Sequence, residues 1–284
     1  MKNNILGLLK TSRPISWVNT AYPFAAGYLL TTGRIDWIFI VGSVFFLIPY
    51  NVLMYGINDV FDYESDLKNP RKGGIEGALL QRSQHRFILW SSILLALPFV
   101  AALLFAGSWL AKLWLVYAVF MVVAYSVAKL RFKERPILDS FTSSTHFASP
   151  LVYALLLHGW QNAYWPYVLA FFLWGMASHA FGAVQDVKAD RQGGIASAAT
   201  VFGAAWTTRL SVVFYVAGAV AIIFVPYGWI VALLSLAYAA NVLPYANILD
   251  KDCERAHAGW QRFLYLNYVA GAVITMTIIY AQRY

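Results

Sequence analysis

Residues 37–66 read WIFIVGSVFFLIPYNVLMYGINDVFDYESD, and this passage decides the class of the chain. No charged side chain occurs between Trp37 and Ile57; Asn58-Asp59-x-x-Asp62-x-x-x-Asp66 then follows at once. An apolar run of about 20 residues crosses roughly 30 Å of hydrocarbon as a helix. At 100° per residue, Asp59, Asp62 and Asp66 share an arc of about 60°. Acids at a membrane boundary carry a desolvation cost unless they face protein or water. Three on one face also repel one another unless a cation sits among them. Oxygen-only side chains stacked in this way suit Mg²⁺, which prefers carboxylates and substrate phosphate oxygens. The plain alternative is a solvated helix end.

The composition extends that reading to the whole molecule. Of 284 residues, 60% are hydrophobic and 12% charged, with a mean hydropathy of +0.59. A soluble domain carries about twice that share of charge. Span-length runs recur near 14–32, 37–57, 87–107, 109–128, 138–157, 164–184, 209–226, 228–248 and 262–281. The expectation is an all-α polytopic membrane protein, one domain over 1–284, with nine transmembrane helices around a central cavity and cytosolic Asp-rich loops. Soluble helical terpene synthases also use paired Asp-rich motifs, but repeated apolar spans exclude that fold. Cys253 is the single cysteine, so there is no disulfide framework. Met1–Arg13 is polar and basic, and the first apolar run is already span-length, so no cleavable signal is expected.

A net charge of +8 raises the question of nucleic acid, and its distribution answers it. Nine spans put 18 of the 21 basic residues on one side, leaving only Arg34, Lys112 and Arg283 on the other. That asymmetry is the positive-inside pattern, not a nucleic-acid surface. It predicts a multi-pass protein of the cytoplasmic membrane with a cytosolic N-terminus. Every acid except Asp36 falls on the same side, so the chemistry faces the cytosol.

A second acidic pair, Asp186-x-x-x-Asp190, lies on one helical face about 40° apart. Alone, such a pair is common and reads as a surface salt-bridge patch. Its company is more telling: Gln185 precedes it, and Lys188 and Arg191 stand beside it. Metal bridging carboxylate to phosphate, with Lys or Arg neutralising the remainder, would use that mixture. The two clusters each follow an even-numbered span, which suggests two related halves bracketing one cavity. Tyr125-Ser126 ahead of Arg131 and Lys133 is a third element. A basic run after a span is ordinarily a topological anchor; here the hydroxyl and cations can also turn toward a phosphate. Arg71 and Lys72 suit diphosphate or anionic headgroups. Asn19 and Asn51 are polar groups within spans, suited to helix-to-helix hydrogen bonds or to a substrate pocket. His146 and His179 read as packed histidines. Some of the many aromatic rings belong to interfacial belts, and others line the interior, where they can hold a polyene or shield a carbocation. A cation-coupled transporter is the rival of another class, but it calls for acids near the bilayer midplane.

Together these residues resemble the UbiA superfamily of intramembrane prenyltransferases. Asn58–Asp66 matches its NDxxDxxxD pattern, and Asp186–Gly203 matches its DxxxD followed by a Gly…Thr…Gly stretch. Tyr125–Lys133 is similar to its YSxxxxRxK element, without the prolines often found there. Ser16–Phe24 and Gly56–Glu64 look most like the lycopene elongases, which add dimethylallyl units to lycopene. The loop from Arg71 to Gly77 departs from the Arg-Pro-rich sequence of many quinone-pathway members. The resemblance implies Mg²⁺-dependent prenyl transfer from an allylic diphosphate, dimethylallyl diphosphate first, to a lipophilic acceptor, lycopene first. An aromatic acceptor of quinone, chlorophyll or haem biosynthesis is the alternative. Asp59, Asp62, Asp186 and Asp190 are the implied catalytic metal ligands, with Asn58 and Asp66 assisting. Arg71, Lys72, Tyr125, Arg131, Lys133, Lys188 and Arg191 are the implied diphosphate contacts. Membrane lipids are the surrounding partner.

Overall fold

The structure, a computed structural model, describes residues 2–67, 73 and 78–283. Among them every regular element is a helix, α or 3-10, and no strand occurs. Helices occupy all nine expected places, and seven are long and apolar enough to cross a membrane. The other two fall short for different reasons. Val18–Thr32 has only 15 residues. Leu138–Leu157 has 20, but it opens with Asp139, Ser140, Thr142, Ser143, Ser144, Thr145 and His146. Those polar side chains are all buried. Polar groups buried in a membrane bundle bond to neighbouring helices, as Ser144 Oγ does to Phe172 O at 2.5 Å.

Contacts divide the chain into two compact units, residues 1–133 with 145–161 and residues 134–144 with 162–284. In the first, Val18–Thr32 lies on Trp37–Leu47 and Pro49–Phe61 lies on Arg82–Leu104. A Cβ on Gly42 would run into the Phe24 ring, so glycine permits the first of these close approaches. Phe24, Tyr28, Phe45, Phe46, Tyr50 and Tyr153 are fully buried and form the aromatic core. Phe46 packs its ring 5.2 Å from both Phe24 and Tyr50, within the range where ring pairs gain beyond area burial. Trp90, Leu94 and Leu97 stand 56, 62 and 58% exposed on Arg82–Leu104, a face that only lipid would cover comfortably.

One break in this unit positions the first acidic cluster. Pro49 has no N–H to continue Trp37–Leu47, so a new helix, Pro49–Phe61, starts there. Asn51 mends the gap: its Nδ2 donates to Phe46 O and Leu47 O, both at 3.0 Å, and to Thr20 Oγ1 at 2.8 Å. Thr20 Oγ1 also donates to Phe46 O at 2.7 Å. A proline break inside a membrane is tolerated when side chains satisfy the freed carbonyls in this manner. Asn51 is 0% exposed, so it takes the helix-to-helix role rather than an open pocket position. Asn19, one residue before Thr20, is half-buried.

In the second unit, Trp165–Val184 packs on Ala204–Ile222, which in turn packs on Gly228–Val242. His257–Arg283 joins against Gly228–Val242. Ser211 Oγ donates to Ala177 O at 2.7 Å and Ser178 Oγ lies 3.0 Å from the Tyr215 hydroxyl, tying the central pair. Tyr215 and Tyr238 stack with centroids 5.5 Å apart, and Trp174 and Phe263 close the aromatic layer.

Candidate active site

Pro49–Phe61 ends at Asp62, and the short helix Tyr63–Asp66 follows. Asp59, Asp62 and Asp66 are 2, 6 and 7% exposed, so all three carboxylates are withdrawn from water. Buried acids are tolerated only with compensating charge and hydrogen bonds. Both arrive from distant parts of the chain.

Arg13, two residues past the N-terminal helix Lys2–Thr11, places Nη2 2.8 Å from Asp59 Oδ1. Its guanidinium carbon stands 4.1 Å from the Tyr55 ring centroid. The Ala78 N–H donates to Asp59 Oδ2 at 3.3 Å. Burial works against the Arg13 charge, yet Asp59, Tyr55 and Asp66 more than offset it and hold the guanidinium above its ordinary value. Asp62 is met from the loop after Trp109–Ser126: Lys133 Nζ contacts its Oδ1, with Arg131 Nη2 3.8 Å away. Arg131 Nη1 also donates to Phe61 O at 3.5 Å. Ser126 Oγ donates to Asn58 Oδ1 at 3.1 Å.

The backbone is strained where these cations leave the chain. Arg13, Lys129 and Arg131 have φ of 49°, 76° and 38°, a region that side chains with a Cβ rarely enter. Such conformations persist only where surrounding contacts fix them, and they concentrate at functional sites. The turn that brings Arg131 and Lys133 inward is thus made by left-handed residues. Tyr125 sets its ring edge-on to His146, centroids 5.3 Å apart.

In the second unit, Asp186 is the N-cap residue of Val187–Gly193. Asp190 lies one turn on, its N–H donating to Asp186 O at 2.8 Å, and both side chains are half-buried. Gln185 is fixed from behind, its Oε1 2.7 Å from His257 Nδ1 and its Nε2 donating to Gly182 O at 3.0 Å. Lys188 Nζ reaches Glu254 Oε1 at 3.4 Å on the exposed side. Arg191 donates to Thr200 O from Nε at 3.1 Å and from Nη2 at 2.8 Å. Its Nη1 meets Asp250 Oδ2 at 2.6 Å.

Of the predicted site residues, the structure joins Asn58 to the Tyr125–Lys133 element through Ser126, and Asp62 to Arg131 and Lys133. Arg71 and Lys72 lie outside the described residues. In the sequence Arg13 stands as a basic residue before a span and as the start of the opening Arg13–Trp17, without a role at the site, yet it is the partner of Asp59. Pro14 gave no signal of this, since a residue before proline favours extended backbone and Arg13 is instead left-handed, with φ 49° and ψ 72°. Among the described residues no three His, Cys, Asp or Glu side chains gather closely enough to hold a metal unaided. The donor chemistry still fits Mg²⁺, which uses one or two carboxylates and completes its shell from water and phosphate. The bonded oxygens of Asp59 each retain a second lone pair for such an ion.

The family model for the UbiA prenyltransferase family matches residues 20–269. Over 282 residues the chain is 52% identical to a lycopene elongase/hydratase of Corynebacterium glutamicum, covering 98% of each chain. It is 47% identical over 284 residues to the C(50) beta-cyclic carotenoids biosynthesis protein LbtBC of a Dietzia species, covering 97% of this chain and 66% of that one. Among solved structures, a UbiA homolog from Archaeoglobus fulgidus bound to DMAPP and Mg²⁺ matches with a TM-score of 0.68 at 16% identity, over 94% of this chain and 99% of that one. The last likeness concerns the fold. The chain belongs to the UbiA prenyltransferase family. It is a membrane prenyltransferase, and within the family it is most like the lycopene elongase group.

Proposed function

We propose that this enzyme transfers dimethylallyl groups from dimethylallyl diphosphate to the ends of lycopene, with Mg²⁺ as cofactor. One observation carries the reading: Asn58 and Asp62 are bound to Ser126, Arg131 and Lys133 in a chain 52% identical to a lycopene elongase/hydratase. Asp59, Asp62, Asp186 and Asp190 hold the metal in this proposal, assisted by Asn58 and Asp66. When bound, magnesium supplies positive charge to the diphosphate as the allylic C–O bond breaks. Lys133 and Arg131, with Lys188, Arg71 and Lys72, stabilise the leaving diphosphate, and Tyr125 borders it. The terminal alkene of the acceptor attacks the allylic cation and forms the new C–C bond. Proton loss from the resulting tertiary cation gives an elongated polyene; capture of water gives a hydroxylated one. Apolar helices around the site keep water from quenching the first cation. The one-sided distribution of Lys and Arg supports placing the N-terminus and both acidic clusters on the cytosolic face of the cytoplasmic membrane.

The test is expression in a lycopene-accumulating host with pigment masses measured. Addition of one or two five-carbon units supports the reading. Prenylation of an aromatic acceptor, with lycopene unchanged, would replace it with the quinone-, chlorophyll- or haem-pathway alternative. Asp59→Ala and Asp186→Ala are each expected to abolish turnover while the protein still inserts. Full activity in either purified variant would remove the metal-site assignment.

A further inference from the structure

Arg191 stands next to Asp190, where a diphosphate ligand would be sought, but its guanidinium is already committed. Two of its nitrogens grip one carbonyl, Thr200 O, at 3.1 and 2.8 Å, and the third meets Asp250 at 2.6 Å. Asp250 completes the link with its other oxygen, which accepts the Ala204 N–H at 2.7 Å at the start of Ala204–Ile222. One arginine thus ties the helix carrying Asp190 to the segment that follows it and to the next long helix.

The same segment is held from its other end. Asp139 is 0% exposed, and its Oδ2 accepts the Ala198 N–H at 2.8 Å while Oδ1 accepts the Ser140 N–H at 2.6 Å. Between these anchors, Ser197 and Thr200 cap the short helix Ala198–Phe202 reciprocally. The two joints that flank it are Gly194 and Gly203, with φ of 72° and 85°. Without anchors, a stretch between two such glycines would be the loosest part of this unit. A Cβ on Gly203 would lie 3.3 Å from Asp250 Oδ1, so the close seat of that carboxylate also depends on glycine.

We propose that Arg191 is a positioning residue and not a diphosphate ligand: with Asp250 it locks residues 193–204 behind Asp186 and Asp190 and so fixes the direction of those carboxylates. This rests on the reading of Asp186 and Asp190 as metal ligands. Residues that orient metal ligands typically affect metal affinity or activity by about 10- to 100-fold. Asp250→Asn keeps an acceptor for the Ala204 N–H but sets an amide N–H₂ against Arg191, so it breaks the ion pair without emptying the position.

The experiment compares Arg191→Ala, Arg191→Lys, Asp250→Asn and the Arg191→Ala/Asp250→Asn double variant in detergent. Two readouts are independent of turnover: amide exchange of residues 193–204, and binding of inorganic pyrophosphate at saturating Mg²⁺. The third is the Mg²⁺ concentration giving half-maximal activity. The expected result is faster exchange in every variant, with Arg191→Lys failing to restore it because an ammonium cannot fork across one carbonyl. The half-activating Mg²⁺ concentration rises about tenfold in Arg191→Ala and in Asp250→Asn, and the double variant is no worse than the singles. Pyrophosphate binding at saturating Mg²⁺ is unchanged. Weakened pyrophosphate binding in Arg191→Ala alone, with Asp250→Asn like the parent, would overturn the proposal and return Arg191 to the diphosphate. If Asp186→Ala and Asp190→Ala retain activity, the metal assignment fails instead, and exchange of residues 193–204 still reports whether the lock exists.

Discussion

Arg13 Nη2 lies 2.8 Å from Asp59 Oδ1, and the two residues are 46 positions apart in the chain. The side chains are 16% and 0% exposed, so this is a pair enclosed by protein. Removing one member of an enclosed pair leaves the other charge stranded and costs about 3 kcal/mol or more. Arg13→Ala is therefore expected to unfold at a clearly lower temperature than the parent in chelator. Mg²⁺ should then raise its melting temperature more than it raises the parent's, because the ion replaces the missing cation. Equal shifts in both proteins would show that Arg13 is not the counter-ion of a metal ligand.

Lys133 makes the corresponding contact to Asp62 and is 10% exposed. As a donor to the leaving diphosphate it acts where charge develops, so Lys133→Met should lower the rate of pyrophosphate release by about 10²-fold. Lys133→Arg should retain most of it. A rise in KM with kcat unchanged would instead mean that Lys133 binds substrate and transition state equally.

Asn51 holds the Pro49 break closed through Phe46 O, Leu47 O and Thr20 Oγ1. Asn51→Leu leaves those carbonyls without the amide, at a cost of about 1–3 kcal/mol. The variant should melt earlier and bind both substrates with unchanged KM. A changed KM for the acceptor at an unchanged melting temperature would make Asn51 a pocket residue after all.

Much of the architecture was legible because apolar run length alone defines spanning helices. Leu138–Leu157 reads in the sequence as a span equal to the others; Ser140 and Ser144 of its first half bond to Trp165–Val184, through His179 and Phe172 O, which sequence does not display. At the site, helical spacing puts Asp59, Asp62 and Asp66 on one face, and all three are buried; the sequence leaves Arg131 and Lys133 open to an anchoring or a phosphate-facing role, and both meet Asp62. Arg13 was missed because its role comes from a left-handed backbone and from a partner 46 residues away. The partners of Arg191 are hidden from the sequence for a similar reason. Proximity to Asp190 is visible in one dimension, whereas Asp250 and Thr200 O approach only once the chain has folded.

The pairing of Asp59 and Asp62 with cations has a bearing on how such a protein is made. A bare trio of carboxylates would enter the bilayer at great expense and would have to wait for an ion before settling. With Arg13 on Asp59 and Lys133 on Asp62, the newborn chain carries its own neutralising partners. The charge that offsets these two burials is thus carried in the chain itself, and it does not have to be drawn from the solution.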